Sequence, residues 1–486
     1  MKERIILKIG GIMRKYTGFY IDGNWLDAQG TSNIEVINPS TGEVAGIISD
    51  GSEKQVNNAV EAAKRAFVSF SQTSVNERLE LLKGIANEYK QREAEIAAAI
   101  SEEMGAPDWL ASQYQAAMGL AHLDTTIEAL SKFPFEEQKG TTRILREPIG
   151  VCGFITPWNW PINQVVVKVL PALATGCTMV LKPAAQTPFS AWLLTEIFDK
   201  AGVPAGVFNL VNGHGGKVGS ALSRHPDIDM ISFTGSTGAG ISVAVDAAPT
   251  VKRVHQELGG KSANIILDDA DIVQAVDNGV KAIMMNTGQT CTAPTRMLIH
   301  ESKYEAAVEQ AHKTAESITV GAPSSNSYMG PLSSKKQFDT VQKYIQIGID
   351  EGAEIIAGGL GSPEGLEKGF FAKPTIFANV TNSMRIAREE IFGPVLVMIP
   401  YSNEEEAIAI ANDSPFGLAG YVQSSSIERA RKVASKIRAG QIYLNYAPLD
   451  FAAPFGGYKQ SGNGREWGEQ ALYEFVEIKS VVGFAK

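Results

Sequence analysis

Cysteine and histidine are scarce. The 486 residues contain three cysteines, Cys152, Cys177 and Cys291, with no C-x-x-C pair, and six histidines with no H-E-x-x-H and no pair four residues apart. The first pattern excludes a disulfide framework and a cysteine-rich zinc site. The second leaves a metal without advertised ligands, so none is expected. Basic excess is absent too: 44 Lys and Arg against 53 Asp and Glu give a formal charge of -9, which does not suit a nucleic-acid partner. Nor is there a run fit for lipid. Pro148–Val167 is uncharged, but it holds Pro148, Pro157 and Pro161 with Asn159, Asn163 and Gln164. These would leave breaks and unsatisfied amides in a bilayer, so a buried strand, loop and helix are expected and no membrane partner. Met1–Met13 is basic, its apolar run is interrupted by Lys8, and no small-residue cleavage site follows. A cytoplasmic location is therefore expected. Met13 reads as an alternative start, with residues 1–12 as a loosely ordered extension.

What is present is an ordinary globular composition, 44% hydrophobic and 20% charged. At about 150 residues per domain the length amounts to roughly three domain equivalents. From about Ser52 to Ile100 the spacing of Ala59, Val60, Ala63, Ala66 and Phe67, then Leu79 and Leu82, predicts amphipathic helices. From Ile149 onward, apolar strand-like runs alternate with helical ones: Gly150–Ile155, a helix after Pro161, Thr178–Leu181, a helix near Ala191–Lys200, Val207–Val211 and Met230–Phe233. Such alternation implies crossover connections and a mainly parallel sheet. A second cycle runs through Met297–His300, Glu354–Ala357, Pro374–Phe377 and Val395–Pro400. Two α/β units are expected, with a boundary near Gly259–Asp271. Gly358–Gly369 reads as a surface loop.

Four stretches could carry chemistry. Thr234–Gly240, TGSTGAG, follows an apolar strand and opens a helix, where free N–H groups favour a phosphate. Its G-x-T-x-x-G has Thr in place of the second glycine of the dinucleotide fingerprint, and a plain strand-to-helix turn explains it equally well. Cys291 lies among small polar turn formers, unlike Cys152 and Cys177 in apolar runs. It is thus a candidate nucleophile, while the other two read as small buried hydrophobes. Glu257 stands at the end of a strand-like Lys252–His255 and before Gly259-Gly260. It is either a cleft carboxylate with a raised pKa, suited to a general base, or a surface group beside a turn. Asn159 in Pro157-Trp158-Asn159-Trp160-Pro161 is an amide held rigidly enough for an oxyanion donor, or part of a structural turn.

Together these stretches resemble the NAD(P)-dependent aldehyde dehydrogenase superfamily, and the match runs along nearly the whole chain. It rests on Pro157–Pro161, Leu181-Lys182-Pro183-Ala184, Phe233–Thr237, Glu257–Lys261, Gly288-Gln289-Thr290-Cys291, Glu389–Pro394 and Pro454-Phe455-Gly456-Gly457, all in the family's order. The resemblance implies two Rossmann-like α/β domains and a small β oligomerisation arm. The cofactor-binding domain would be 13–127 with 149–259, the catalytic domain 260–460, and the arm with the C-terminal segment 128–148 and 461–486. It further implies Cys291 as nucleophile, Asn159 with the Cys291 N–H as oxyanion donors, Glu257 as general base for thioester hydrolysis, and Lys168 with Glu466 as a proton relay. Lys168 and Glu466 read otherwise as an ordinary ion pair.

For the cofactor, NAD or NADP, the resemblance points to Lys182 at the adenosine ribose, Gly235 and Ser236 at the pyrophosphate, and Glu390 and Phe392 at the nicotinamide end. Ile155, Thr156 and Trp158 would line the same stretch, with Gly215 on the adenine side. NAD-preferring relatives carry Glu where this chain has Ala185. Loss of a carboxylate that repels a 2′-phosphate opens the site to NADP without excluding NAD. The arm is expected at about Lys139–Glu147, its partner strand around Glu477–Phe484, and the assembly is expected to be a homodimer or homotetramer. The substrate implied is a small-molecule aldehyde, neutral and aliphatic or aromatic, oxidised to a carboxylic acid. Its walls are expected from Met118–Asp124, Trp160, Thr290, Thr292 and Asn445–Phe451, with the direction of Arg296 open. Two other readings are a CoA-acylating relative, disfavoured by Glu257, and a catalytically silent protein, which would have lost Cys291 or Asn159.

Overall fold

Val151–Ile155, Thr178–Lys182 and Met230–Thr234 are buried at every residue. Strands buried on both faces need helices on both sides, and parallel crossovers supply them. The computed structural model describes residues 5–8, 11–28 and 30–485, with side chains from 13 onward. In it these strands lie in an eight-stranded sheet of order 462–463, 253–257, 230–234, 151–155, 178–182, 208–210, 19–21, 24–26. The five from 253–257 to 208–210 are parallel; the flanking ones are antiparallel. The chain enters at 151–155, moves out to 208–210, then returns to 230–234 on the other side. Strand order thus reverses between 151–155 and 230–234, the place where open α/β sheets form a ligand crevice.

The helix Pro161–Thr175 covers one face and is buried at every position; Pro161 sits in its first turn and left-handed Gly176 ends it. The periodic stretch near the N-terminus forms two helices, Glu53–Phe70 and Val75–Met104, each opened by a capping box, Ser52 with Gln55 and Ser74 with Glu77.

A seven-stranded sheet follows, of order 354–357, 375–378, 395–401, 296–300, 263–266, 419–423, 441–444. All its pairings are parallel except the outermost, 354–357 with 375–378. Apolar clusters pack on both of its faces. The chain crosses from the first sheet to the second between Glu257 and Ala263, at the early edge of the expected boundary. Gly462–Asn463, expected with the arm, instead adds to the first sheet beside Glu257.

The arm strand is a hairpin, Glu136–Lys139 with Thr142–Pro148, and Val476–Val481 pairs antiparallel with Thr142–Pro148 from Val476↔Pro148 to Val481↔Arg143. At the N-terminus the backbone of Ile5–Lys8 pairs with Gly11–Tyr16. Where it is described, the expected loose extension is therefore a hairpin; residues 1–4 and 9–10 lie outside the described residues. Among the described residues, no helix is long and apolar enough to cross a membrane.

Candidate active site

At the reversal of strand order the loops open a cleft of about 680 Å³, walled by Ile155, Thr156 and Trp158 from one loop, Lys182 and Ala185 from the next, then Gly215, Gly235 and Ser236. It continues, through the shared walls Trp158, Gly235 and Ser236, into a cavity of about 350 Å³ that holds Asn159, Cys291, Glu390 and Phe392. All ten residues expected at the cofactor thus face one continuous space. Helix Thr237–Ala247 starts there, its N-cap Ser236 accepting from the Ala239 N–H, so its remaining first-turn N–H groups face a prospective phosphate. A Cβ on Gly240 would come within 2.6 Å of Leu258 Cδ2; the last glycine of the motif holds helix against strand end, as the dinucleotide fingerprint requires. Thr156 Oγ1 and Thr234 Oγ1 are buried in the cleft wall without a protein partner, unmet capacity that suits a polar ligand. These residues fit a dinucleotide.

Lys182 is buried and donates to the Pro183 carbonyl at 2.8 Å; burial pulls its pKa down to about 8. No carboxylate stands at Ala185; the same cleft is lined by His214, Lys335 and Lys336 and by one carboxylate, Glu35. At the inner end Trp158 and Phe392 meet edge to face, 5.4 Å between centroids. Glu390 accepts from the Gly260 N–H at 2.9 Å, and burial raises its pKa to about 7 against that bond and Lys261.

Cys291 hangs from a backbone turn that no propensity favours. Asn286 and Thr287 are left-handed at φ 54° and 56°, followed by Gly288 at 71°. Strain of about 1–3 kcal/mol per such residue persists only when the surroundings over-determine it, and here they do. Asn286 Nδ2 donates to the Asn159 and Gln289 carbonyls at 3.0 and 3.2 Å, and Gln115 donates to Asn286 Oδ1 at 3.1 Å. Asn159 Nδ2 donates to the Gln289 carbonyl at 3.1 Å, and Trp160 Nε1 to Thr290 Oγ1 at 3.1 Å. The nucleophile and oxyanion stretches are thereby clamped together. Cys291 is partly exposed; its thiol pKa is raised by desolvation first, then by the carboxyls of Glu257, Glu390 and Glu466.

Glu257 closes the strand Arg253–Glu257, which begins one residue and ends two residues later than the strand-like Lys252–His255. It is buried, and neither carboxyl oxygen has a hydrogen-bond partner. Burial and then Glu466 raise its pKa, while Lys168 and Arg465 oppose them. Lys168 and Glu466 form a buried ion pair, and Lys168 Nζ also donates to Ser232 Oγ at 3.1 Å. Neither lines the cleft, and nor does Glu257; the three are buried behind its wall, with Glu257 close enough to Cys291 to raise the thiol pKa.

Several contributors escaped the sequence reading. Asn286 and Gln115 were passed over as loop and helix polar residues. His255 was quoted only as a neighbour of Glu257, although strand periodicity places the two on one face. Tyr421 and Tyr443 escaped it too; they stack at 5.1 Å between centroids, with Tyr446 of the expected wall 445–451 tilted against Tyr421 at 5.9 Å and the Tyr421 hydroxyl on the Thr292 carbonyl. Arg296 is settled: its guanidinium is buried on the carbonyls of Lys261, Ile410 and Ala411 and on Asn382. It offers nothing to a substrate carboxylate.

Residues 25–481 match the model of the aldehyde dehydrogenase family. A 3-succinoylsemialdehyde-pyridine dehydrogenase from a Pseudomonas species is 57% identical over 474 residues, 97% of this chain and 99% of the relative. Among solved structures, aldehyde dehydrogenase C from Pseudomonas syringae, an alanine variant of one cysteine complexed with NAD+ and octanal, superposes with a TM-score of 0.96 at 49% identity, over 96% of this chain and 97% of that one. An aldehyde dehydrogenase from Bartonella henselae gives 0.95 at 46%, over 97% and 100%.

Proposed function

The chain belongs to the aldehyde dehydrogenase family, and from that premise we propose which of its residues carry the oxidation of an aldehyde to a carboxylic acid. The observation that supports the assignment is the position of Cys291 in the inner cavity with Asn159 beside it and a buried, unpartnered Glu257 behind. Cys291 gives up its thiol proton, to Glu257 or to water, and the Sγ thiolate attacks the aldehyde carbon. Asn159 Nδ2 has two hydrogens and spends one on Gln289, so the other and the Cys291 backbone N–H are donors for the oxyanion. NAD(P)+ supplies the hydride acceptor when bound, held by the cleft residues from Lys182 to Phe392. Glu257 then takes a proton from the water that attacks the Cys291 thioester, and the Lys168–Glu466 pair receives charge from it. A raised pKa suits Glu257 to that exchange.

The cofactor is NAD or NADP, with Ala185 permitting the 2′-phosphate. For the substrate we favour a neutral aliphatic or aromatic aldehyde, supported by the tyrosine stack, by Trp160 and by the commitment of Arg296 elsewhere; octanal and a pyridine semialdehyde, named for the relatives, are the probes to begin with. The three free thiols suit a reducing, cytoplasmic setting. The domains are taken as 13–127 with 149–259, 260–460, and an arm and C-terminal segment of 128–148 with 464–486, the strand 462–463 going with the first sheet. The exposed arm supports a homodimer or homotetramer.

The test is absorbance at 340 nm with NAD or NADP and an aldehyde panel, wild type beside Cys291→Ala. Reduction by the wild type alone is expected. Product formation that requires CoA would instead favour acyl transfer to a thiol and count against Glu257 as the hydrolytic base.

A further inference from the structure

His255 lies two residues before Glu257 on the strand Arg253–Glu257 and is buried with it, each 2% exposed. Its imidazole spans a gap. Nε2 stands 3.5 Å from Glu257 Oε1, and Nδ1 stands 3.4 Å from Ser232 Oγ, on the neighbouring strand. Ser232 Oγ in turn accepts from Lys168 Nζ, whose ion-pair partner is Glu466. Both ring contacts are long, as catalytic contacts often are before ligands bind. Packing fixes the ring: a Cβ on Gly464 would collide with it, and Gly464 takes the left-handed φ of 79°. Among the described residues both Glu257 oxygens and His255 Nε2 are buried without a hydrogen-bond partner, so the 3.5 Å approach brings together two groups that each lack one.

We propose that His255 is a positioning residue for thioester hydrolysis, holding the Glu257 carboxyl through Nε2 and linking it through Ser232 to the Lys168–Glu466 pair. This rests on the reading of Glu257 as the general base. With Nδ1–H donated to Ser232 Oγ, the Nε2 lone pair accepts from the protonated carboxyl that Glu257 becomes after taking the water's proton. No proton is gained or lost by the ring; it fixes where that proton sits and keeps the carboxyl facing the thioester.

The ring is kept neutral by its surroundings. Burial lowers its pKa first, then Lys168 from helix Pro161–Thr175 and Arg465 from the C-terminal segment. Around its partner Glu257 stand Glu466, Lys168, Arg465 and Glu474; the strand Met230–Thr234 presents uncharged Ser232. A neutral ring can accept from a carboxylic acid, whereas an imidazolium has no lone pair to offer and would donate to the carboxylate instead, lowering the Glu257 pKa and weakening it as a base.

The experiment compares wild type, His255→Leu, His255→Gln, Ser232→Ala and Glu257→Gln by the presteady-state burst of reduced cofactor and by steady-state rate across pH. His255→Leu is expected to keep the burst while the steady-state rate falls at least about tenfold and its acidic limb moves to lower pH, because the protonated Glu257 loses the acceptor that favours it. His255→Gln, which restores a hydrogen-bonding atom, should recover part of both, and Ser232→Ala should show a smaller version of the same shift. A His255→Leu enzyme with the wild-type limb, or one in which burst and steady state fall together, overturns the proposal. If His255→Leu does not fold, an unshifted limb in Ser232→Ala overturns it instead. Glu257→Gln separates the two readings: retained steady-state turnover there would remove the base assignment itself, whereas its loss beside an unaffected His255→Leu removes only the role of His255.

Discussion

Ala185 occupies a cleft wall that also carries His214, Lys335 and Lys336. A carboxylate placed there would meet a 2′-phosphate as a like charge with little water between them. Ala185→Glu is therefore expected to lower kcat/KM for NADP by about tenfold or more while leaving NAD nearly unchanged, measured as the ratio of the two; an unchanged ratio would mean the 2′-position is read elsewhere. A second expectation concerns pH. The Cys291 thiol and the Glu257 carboxyl are both pushed up in pKa, so their deprotonated forms grow as pH rises, and kcat/KM followed across pH should climb toward the alkaline side. Glu390 contributes to the Cys291 shift as a nearby negative charge. Glu390→Gln should therefore move the pH midpoint of Cys291 alkylation by iodoacetamide downward in the free enzyme; an upward or absent shift would mean desolvation alone governs the thiol. Of these residues, Cys291, Asn159 and Glu257 were legible because their flanks are unusual, with turn formers, paired indoles and paired glycines. Lys261 was not: its amine is buried with no partner and drawn down to about 7, a fact of packing that no neighbour in sequence announces.

At the scale of elements, strands buried on both faces were legible as unbroken apolar runs. Their ends were not, and one end mattered: Glu257 belongs to the strand, so its direction is set by pairing with Thr234 and Gly462. The left-handed turn at Asn286–Gly288 was invisible, because Thr does not specify such a conformation; bonds from Gln115 and to Asn159, both far off in sequence, and to nearby Gln289 hold it. Removing the Asn286 amide should release the turn. Asn286→Ala takes the donor from the buried Asn159 carbonyl, while the Gln289 carbonyl keeps Asn159 Nδ2, at about 1–3 kcal/mol. Part of that cost should appear as movement of Cys291 rather than unfolding. The expected outcome is a fall in kcat of about tenfold or more with a small change in melting temperature. A large loss of stability with catalysis intact would show that the turn braces the fold and not the nucleophile. Gly288 tolerates no Cβ, since the Gly393 backbone fills that space, and Gly288→Ala should be the harsher change on both counts.

Two parallel sheets joined at 258–262 explain why the site sits where it does: the first brings the cofactor cleft and the base, while the loop entering the second sheet's strand 296–300 brings the nucleophile. That division could be read from the change in texture along the chain, but the return of 462–463 to the first sheet could not, since two residues carry no periodicity. The arm sheet is the part least accounted for by the single chain. Its edge strand Val476–Val481 pairs on one side only, and Ile478 and Val482 stand 67% and 79% exposed, with Phe484 half-buried under Arg143. An unpaired edge with apolar side chains invites association unless another subunit covers it. Ile478→Lys puts a charge into that patch and touches no residue of the cleft. Light scattering at micromolar concentration is expected to show a smaller assembly than the wild type, with turnover per chain retained if the site is complete within one protomer. An unchanged mass would place the subunit contact away from this strand, and a smaller assembly with lost turnover would mean that the neighbouring subunit braces the Val476–Val481 end of the sheet, next to Glu474 and the Lys168–Glu466 pair.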